Sequence, residues 1–156
     1  MDEASTSPLV PDSRSHRRDF YGWAMDQGQK LRDGRLTEID VQRLAEEIED
    51  MGRAEKRELT NRLAVLLAHL LKWELQPTHR GRSWSATIGE QRDQARLLLR
   101  DNPSLRPVLP EVLEDAYHLG RRAATRETEM AAGDFPGVCP WSLDQALDET
   151  FWPAAG

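Results

Sequence analysis

One candidate site centres on His69, because a histidine and carboxylates on neighbouring helices can hold a metal ion inside a helical bundle. His69 is the only polar residue in the apolar run Leu63–Leu71. Glu47 belongs to a dense group of carboxylates, and Asp115 stands three residues before His118. The ligand candidates for a metal-dependent helical-bundle enzyme centred on His69 are therefore His69, Glu47 and Asp115.

The spacing of these residues argues against a metal site. Neither a Glu-x-x-His nor a His-x-x-x-His pattern occurs in the chain. At 100° per residue, Glu47 falls at the border of the apolar stripe of its predicted helix, and His118 falls nearly opposite the stripe of its own. The alternative is a buried neutral His69 that is held by one or two hydrogen bonds. No cofactor is predicted from these patterns.

A second candidate site is the basic segment 79–100, whose arginines could bind phosphate or nucleic acid. The segment includes a predicted helix N-terminus, where backbone N–H groups favour an anion. The anion-binding candidates are Arg80, Arg82, Arg92, Arg96 and Arg100. The last three are four residues apart and would form a ridge on one helix flank. Alternatively, the arginines pair with the carboxylates of the second predicted helix.

Cys139 is the only cysteine, which excludes an internal disulfide and a cysteine-rich zinc site. A nucleophilic thiol needs a base or a cation beside it. No histidine or arginine lies within ten residues of Cys139 along the chain, so we interpret it as an inert thiol. Nucleophile elbows, phosphate-binding glycine loops and dinucleotide fingerprints are absent from the sequence. Gln91 falls on an apolar stripe and is predicted to be a buried hydrogen-bonding residue.

Charge is distributed unevenly along the 156 residues, whose formal net charge is −6. Residues 37–50 carry a net charge of −5, whereas residues 51–106 carry +5. An acidic chain argues against bulk binding to nucleic acid, because such binding depends on excess positive charge. The basic residues in the middle of the chain could bind an anionic group at a limited site. The alternative is that these residues form solvated helix faces.

The elements that must position these residues are helices, because apolar residues recur at spacings of three and four. The predicted helices span Asp19–Arg32, Thr37–Met51, Arg53–Leu75, Ser83–Leu99 and Ser104–Met130, with a short last helix over Ser142–Thr150. The third is apolar on all sides, which is typical of an enclosed helix. Gly52 is expected to end or bend the second helix, and Pro110 to kink the fifth. The sequence predicts an all-α, up-and-down bundle of about five main helices with a central long third helix.

Residues 1–18 are polar and rich in proline and serine, so we predict a flexible arm there and a single helical domain over residues 19–156. No run approaches the ~20 apolar residues of a membrane span. No apolar segment near the start is typical of a secretory signal. Together with the single cysteine, these features favour the cytoplasm.

Several strings resemble, in this order and spacing, the bacterial family called "domain of unknown function 29". They are Asp19–Ala24, Leu44–Gly52, Leu66–Trp73, Arg82–Trp84, Pro103–Leu105 and Phe135–Pro140. The resemblance covers about Asp19 to Pro153. It implies a small bacterial helical protein and implies no activity.

The missing catalytic patterns favour a non-enzymatic helical protein-interaction module. Its expected partner is another protein or a second copy of itself, so a homodimer is possible. No membrane contact is predicted. The metal-dependent enzyme and the phosphate or nucleic-acid binder remain the alternatives.

Overall fold

The computed structural model describes residues 19–154, so the predicted arm of residues 1–18 lies outside the described residues. Within this range the chain forms five α-helices and no β-strand, which confirms the predicted all-α bundle. The helices are α1 (Phe20–Arg32), α2 (Val41–Leu75), α3 (Arg82–Asp101), α4 (Leu109–Glu127) and α5 (Leu143–Leu147). Short 3-10 turns occupy Leu36–Glu38, Pro77–His79, Pro103–Val108 and Ala132–Asp134.

The predicted second and third helices are one continuous helix in the structure. Gly52 neither ends nor interrupts α2, which contains it as an interior residue. A glycine inside a helix costs only about 1 kcal/mol relative to alanine. The strong helix formers on either side of Gly52 outweigh that cost. The chain divides into two compact units between Gly52 and Arg53, and this boundary falls within α2.

The amino-terminal unit contains α1 and the first turns of α2. The Asp19 carboxylate caps α1 by accepting from the Gly22 N–H at 2.9 Å. Gly34 follows α1 with a φ of 70°, a left-handed conformation that glycine adopts without strain. Thr37, predicted to start the second helix, lies instead in a 3-10 turn, and Asp40 caps α2 by accepting from the Arg43 N–H.

The core of the carboxy-terminal unit is built around the second half of α2. Six leucines of this segment are fully buried, namely Leu59, Leu63, Leu66, Leu67, Leu70 and Leu71. Lys56 forms an ion pair with Glu111, and Lys72 forms one with Glu127, in both cases at 2.7 Å. Because each pair joins residues 55 positions apart, α2 and α4 run parallel. The interior position predicted for residues 53–75 is correct for the face that carries these leucines, whereas Arg53, Arg57, Asn61 and Val65 of the same segment are exposed.

Prolines and caps explain how the remaining helix ends differ from their predicted positions. Pro103 and Pro107 lie in a 3-10 turn, so α4 begins at Leu109 rather than at Ser104. Pro110 lies in the first turn of α4, where no N–H is needed, and therefore does not kink the helix. α3 begins at Arg82, one residue before the predicted cap. α4 ends at Glu127 and α5 at Leu147, both three residues before their predicted ends.

The capping box predicted at the start of the last helix is present. The Ser142 hydroxyl accepts from the Gln145 N–H at 3.2 Å, and the Gln145 side chain accepts from the Ser142 N–H at 3.0 Å. These two bonds satisfy donors that a short helix would otherwise leave exposed.

Candidate functional site

His69 lies half-buried on α2 with one ring nitrogen already engaged. Nδ1 is 2.8 Å from the Val65 carbonyl oxygen, which can only accept, so Nδ1 carries the proton. Burial lowers the pKa of His69, and the nearby Lys72 ammonium adds to that effect. The ring is therefore neutral at pH 7, with Nε2 unprotonated. The alternative that the sequence left open was a buried neutral histidine held by one or two hydrogen bonds; His69 has such a bond, to the Val65 carbonyl oxygen, but is only half-buried.

The carboxylates proposed to join His69 do not form a metal-binding cluster with it. Among residues 19–154, no group of three or more His, Cys, Asp and Glu side chains could hold a metal ion. Glu47 lies half-buried in the amino-terminal unit. Asp115 is exposed on α4, and the exposure predicted for His118 is correct. Both side chains border a groove described below.

Arg80 is engaged with the end of α2 instead of with solvent. Its Nε donates to the Trp73 carbonyl oxygen at 2.6 Å, and its guanidinium lies over the Trp73 ring at 5.4 Å. Trp73 in turn packs against Trp152 with ring centroids 4.6 Å apart. The Arg80 Nη2 atom is buried without a hydrogen-bond partner. Arg80 therefore helps to hold the turn that follows α2.

The predicted basic ridge on α3 is not formed as such, because its first member is buried. Arg92 is 1% exposed and donates to the carbonyl oxygens of Ala146 and Phe151, at 2.8 and 2.7 Å. Arg96 donates to the Leu147 carbonyl oxygen and pairs with Glu149. These two arginines attach the last described residues to α3. The sequence had suggested that these arginines could pair with the carboxylates of the second predicted helix. Arg92 and Arg96 instead bind residues near the end of the described chain.

The other two arginine candidates remain accessible. Arg100 is exposed, and its Nε donates to the adjacent Asp101 at 2.8 Å. Arg82 is exposed at the start of α3, and within the described chain its guanidinium makes no hydrogen bond or ion pair. The five candidate arginines are thus divided among different roles and do not form one anion site.

Cys139 borders a cavity of about 520 Å³ beside α4. Burial raises the pKa of the thiol, and Sγ lies 3.3 Å from the Trp141 carbonyl oxygen. Burial, with the neighbouring Cys139, also raises the pKa of Tyr117 to about 12, and the Tyr117 hydroxyl donates to the Pro136 carbonyl oxygen. A thiol whose pKa is raised is a poor nucleophile at pH 7.

Gln91 is buried as predicted, at 7% exposure, but its Oε1 atom has no hydrogen-bond partner.

A groove between α2 and α4 is a concave surface of the carboxy-terminal unit that the sequence did not predict. It consists of two cavities of about 540 Å³ each that share Asn61 and Leu119. We call this surface the α2–α4 groove. It is lined by Arg53, Lys56, Arg57, Thr60, Asn61, Ala64, Val65, Ala68 and His69 of α2 and by Asp115, His118, Leu119, Arg122, Ala123, Arg126 and Glu127 of α4.

The amino-terminal unit exposes a set of large apolar side chains. Eight of them are at least 44% exposed, whereas only Trp23 and Gln27 are buried in α1. We call the eight the amino-terminal apolar set. They are Phe20, Tyr21, Met25, Leu31, Leu36, Val41, Ile48 and Met51. Sequence periodicity had assigned Val41, Ile48 and Met51 to a core stripe, so their exposure is the unexpected finding.

Over residues 19–154 the fold and these surfaces define a small all-helical protein with two accessible surfaces. The chain belongs to the family described as a domain of unknown function, DUF29, whose sequence model matches residues 16–152. The resemblance inferred from the sequence is therefore confirmed. No curated protein and no solved structure matches the chain. Within residues 19–154, every helix is too short or too polar to cross a membrane.

Proposed function

We propose that this protein is a non-enzymatic helical interaction module and that it pairs with a second copy of itself through its amino-terminal unit. The observation that carries the proposal is the exposure of the amino-terminal apolar set. A concentration of exposed large apolar side chains on one part of a protein favours an interaction site, because leaving them in water is unfavourable. The reactive side chains support a non-enzymatic role, since His69 is bonded to the backbone and the pKa of Cys139 is raised.

The small number of buried residues in the amino-terminal unit strengthens the argument. Among residues 19–52 only Trp23 and Gln27 are buried, so this part of the chain has little core of its own. Along α2, Val41, Ile48 and Met51 are 65%, 64% and 71% exposed. They lie seven and three residues apart, spacings that place residues on one helix face. Such a face is typical of a helix that packs against another helix.

A second copy is the partner that the geometry fits. Two helix pairs related by a two-fold axis can form a four-helix bundle, in which each copy covers the apolar side chains of the other. Eight side chains that each expose on the order of 100 Å² offer roughly 800 Å² per copy, which is the contribution of one partner to a standard interface. The single free cysteine suits a reducing compartment. The cytoplasm of a bacterium is therefore the proposed setting.

The test is the molar mass of the full chain in solution, measured by light scattering at about 50 µM. We expect the wild type to have twice the chain mass. The double variant I48E/M51E should have the mass of one chain, because two carboxylates cannot be buried in an apolar interface without a large cost. The matched control is V138E, which replaces an 81% exposed apolar residue of a loop in the carboxy-terminal unit and should remain dimeric.

A wild type with the mass of one chain would overturn self-association. So would an I48E/M51E variant that retains the double mass. Circular dichroism of each variant distinguishes loss of pairing from loss of helix.

A further inference from the structure

We infer that the α2–α4 groove binds one helix of a partner protein, a helix with an apolar stripe flanked by carboxylates. This inference does not depend on self-association. Every residue that lines the groove lies between Arg53 and Glu127, outside the amino-terminal apolar set. The groove and that set therefore share no residue.

The shape of the groove suits an elongated ligand. On α2 its lining extends from Arg53 to His69, which are 16 residues apart. At 1.5 Å per residue this is about 24 Å, or between four and five helical turns. Parallel helices that approach each other closely leave an open channel along their seam. An amphipathic helix binds such a channel by placing its apolar face into it.

The floor of the groove is apolar and partly open to solvent. Val65 is 39% exposed and Leu119 is 44% exposed, although both lie on the helices that enclose the core. The small side chains of Ala64, Ala68 and Ala123 form the remainder of the floor. Small residues at this seam allow a third helix to approach closely, and burial of the two larger side chains supplies the hydrophobic gain.

The rim of the groove has an excess of positive charge. Five arginines and lysines line it, against the two carboxylates of Asp115 and Glu127. Glu127 is already bonded to Lys72 at 2.7 Å. Within the described residues, the guanidinium groups of Arg57 and Arg122 make no hydrogen bond or ion pair. Two unengaged guanidinium groups beside an apolar floor favour a ligand that carries carboxylates beside an apolar stripe.

The composition of the groove favours a protein helix over nucleic acid. Its lining contains no phenylalanine, tyrosine or tryptophan, so bases would find only the His69 and His118 rings to stack on. The net charge of the chain is −6, which repels a polyanion at long range. A helix with a few carboxylates is affected much less by that repulsion.

The experiment measures the binding of a labelled 18-residue probe peptide by fluorescence anisotropy to the full chain at 150 mM salt. The probe carries leucine at spacings of three and four, two glutamates on each side of that leucine stripe, and alanine or glutamine at the remaining positions. The first comparison peptide has lysine in place of every glutamate, and the second has serine in place of every leucine. We expect the probe to bind at least tenfold more tightly than either comparison peptide.

The key variant is R57E/R122E, which should weaken probe binding at least tenfold. The matched control is R82E/R106E, which reverses two exposed arginines outside the groove and should bind as the wild type does. A third variant, L119E, places a carboxylate on the apolar floor and should also abolish binding.

Three results would overturn the inference. They are equal binding of the glutamate and lysine peptides, tighter binding of a single-stranded oligothymidylate than of the probe, and unchanged binding by R57E/R122E. Light scattering of R57E/R122E reports on self-association separately, so the two proposals can fail independently.

Discussion

Gly120 of α4 packs directly against the backbone of Ala64 of α2. A methyl group placed on Gly120 would lie 2.7 Å from the Ala64 carbonyl oxygen and 3.2 Å from the Ala68 nitrogen. Both neighbours are backbone atoms of a helix and cannot rotate away. The parallel pairing of α2 and α4 therefore requires a residue without a side chain at this position, and the α2–α4 groove depends on that pairing.

We expect G120A to lower the free energy of unfolding by about 1–3 kcal/mol, because the two helices must separate to admit the methyl group. The matched control is G89A, at an interior position of α3 with no atom within 4 Å of an added methyl group. That variant should raise stability by up to about 1 kcal/mol through helix propensity. Urea unfolding of G120A and G89A measures both changes in the free energy of unfolding. Equal effects of the same sign would contradict the close packing assigned to Gly120.

The helices were predictable from sequence because their apolar residues repeat within one element. Leu59, Leu63 and Leu70 recur at helical spacing, and all three are fully buried. The same periodicity assigned Val41 and Ile48 to the core, although both are exposed. A pattern reports which face of a helix is apolar, but the partner that covers this face depends on contacts distant in sequence.

Lys72 and Glu127 form an ion pair in which the lysine is much more buried than the glutamate. Removal of the Glu127 charge should therefore lower the free energy of unfolding. The Lys72 side chain is 7% exposed and the Glu127 side chain is 42% exposed. E127Q leaves a buried ammonium group without its carboxylate, so we expect a loss of about 1–2 kcal/mol at pH 7, reduced by solvent access to Glu127. The equivalent pair, Lys56 and Glu111, is more exposed, and E111Q should change stability by less than about 0.5 kcal/mol.

The contribution of the Lys72–Glu127 ion pair to stability depends on pH through the titration of the Glu127 carboxylate. The hydrogen bond from Lys72 lowers the pKa of Glu127 below its ordinary value of 4.5. Because the pKa of Glu127 is lower in the folded state than in the unfolded state, the ionised carboxylate stabilises the fold. This stabilisation is complete at a pH above the ordinary pKa and is lost as the pH falls through the lowered pKa. The difference in stability between wild type and E127Q should therefore be constant from pH 8 to pH 5 and shrink below pH 4.5. A constant difference down to pH 3 would contradict the pairing.

Arg92 attaches α5 and the segment after it to α3 through the carbonyl oxygens of Ala146 and Phe151, and a lysine cannot replace both bonds. We expect R92K to cost about 2–3 kcal/mol, since at least one buried carbonyl group loses its donor. Hydrogen exchange over residues 143–152 should accelerate in this variant. The control is R100K, because the Arg100 side chain is 69% exposed and its bond is to the adjacent Asp101. Unchanged exchange in R92K would show that other contacts hold the segment.

The roles of the arginines could not be predicted, because their partners are distant along the chain. Arg92 donates to carbonyl groups 54 and 59 residues away. A helical wheel shows which side chains of one helix share a face. It contains no information about a later segment of the chain that packs against that helix. The exposed Arg57 and Arg122 were overlooked for the same reason, since the groove exists only where α2 and α4 meet.

Tyr117 provides a spectroscopic test of the packing between α4 and the following loop. Its pKa is raised from 10.0 to about 12, chiefly by burial. A raised pKa stabilises the fold below pH 10, and this contribution disappears as the pH rises towards 12. The absorbance at 295 nm should therefore contain a titration step near pH 12 that is absent from Y117F and retained in the control Y21F. Y117F should also cost about 1 kcal/mol at pH 7, because it leaves the Pro136 carbonyl group without its donor. The packing would be contradicted by a step near pH 12 that survives in Y117F, or by its absence from a wild type that circular dichroism shows to be folded.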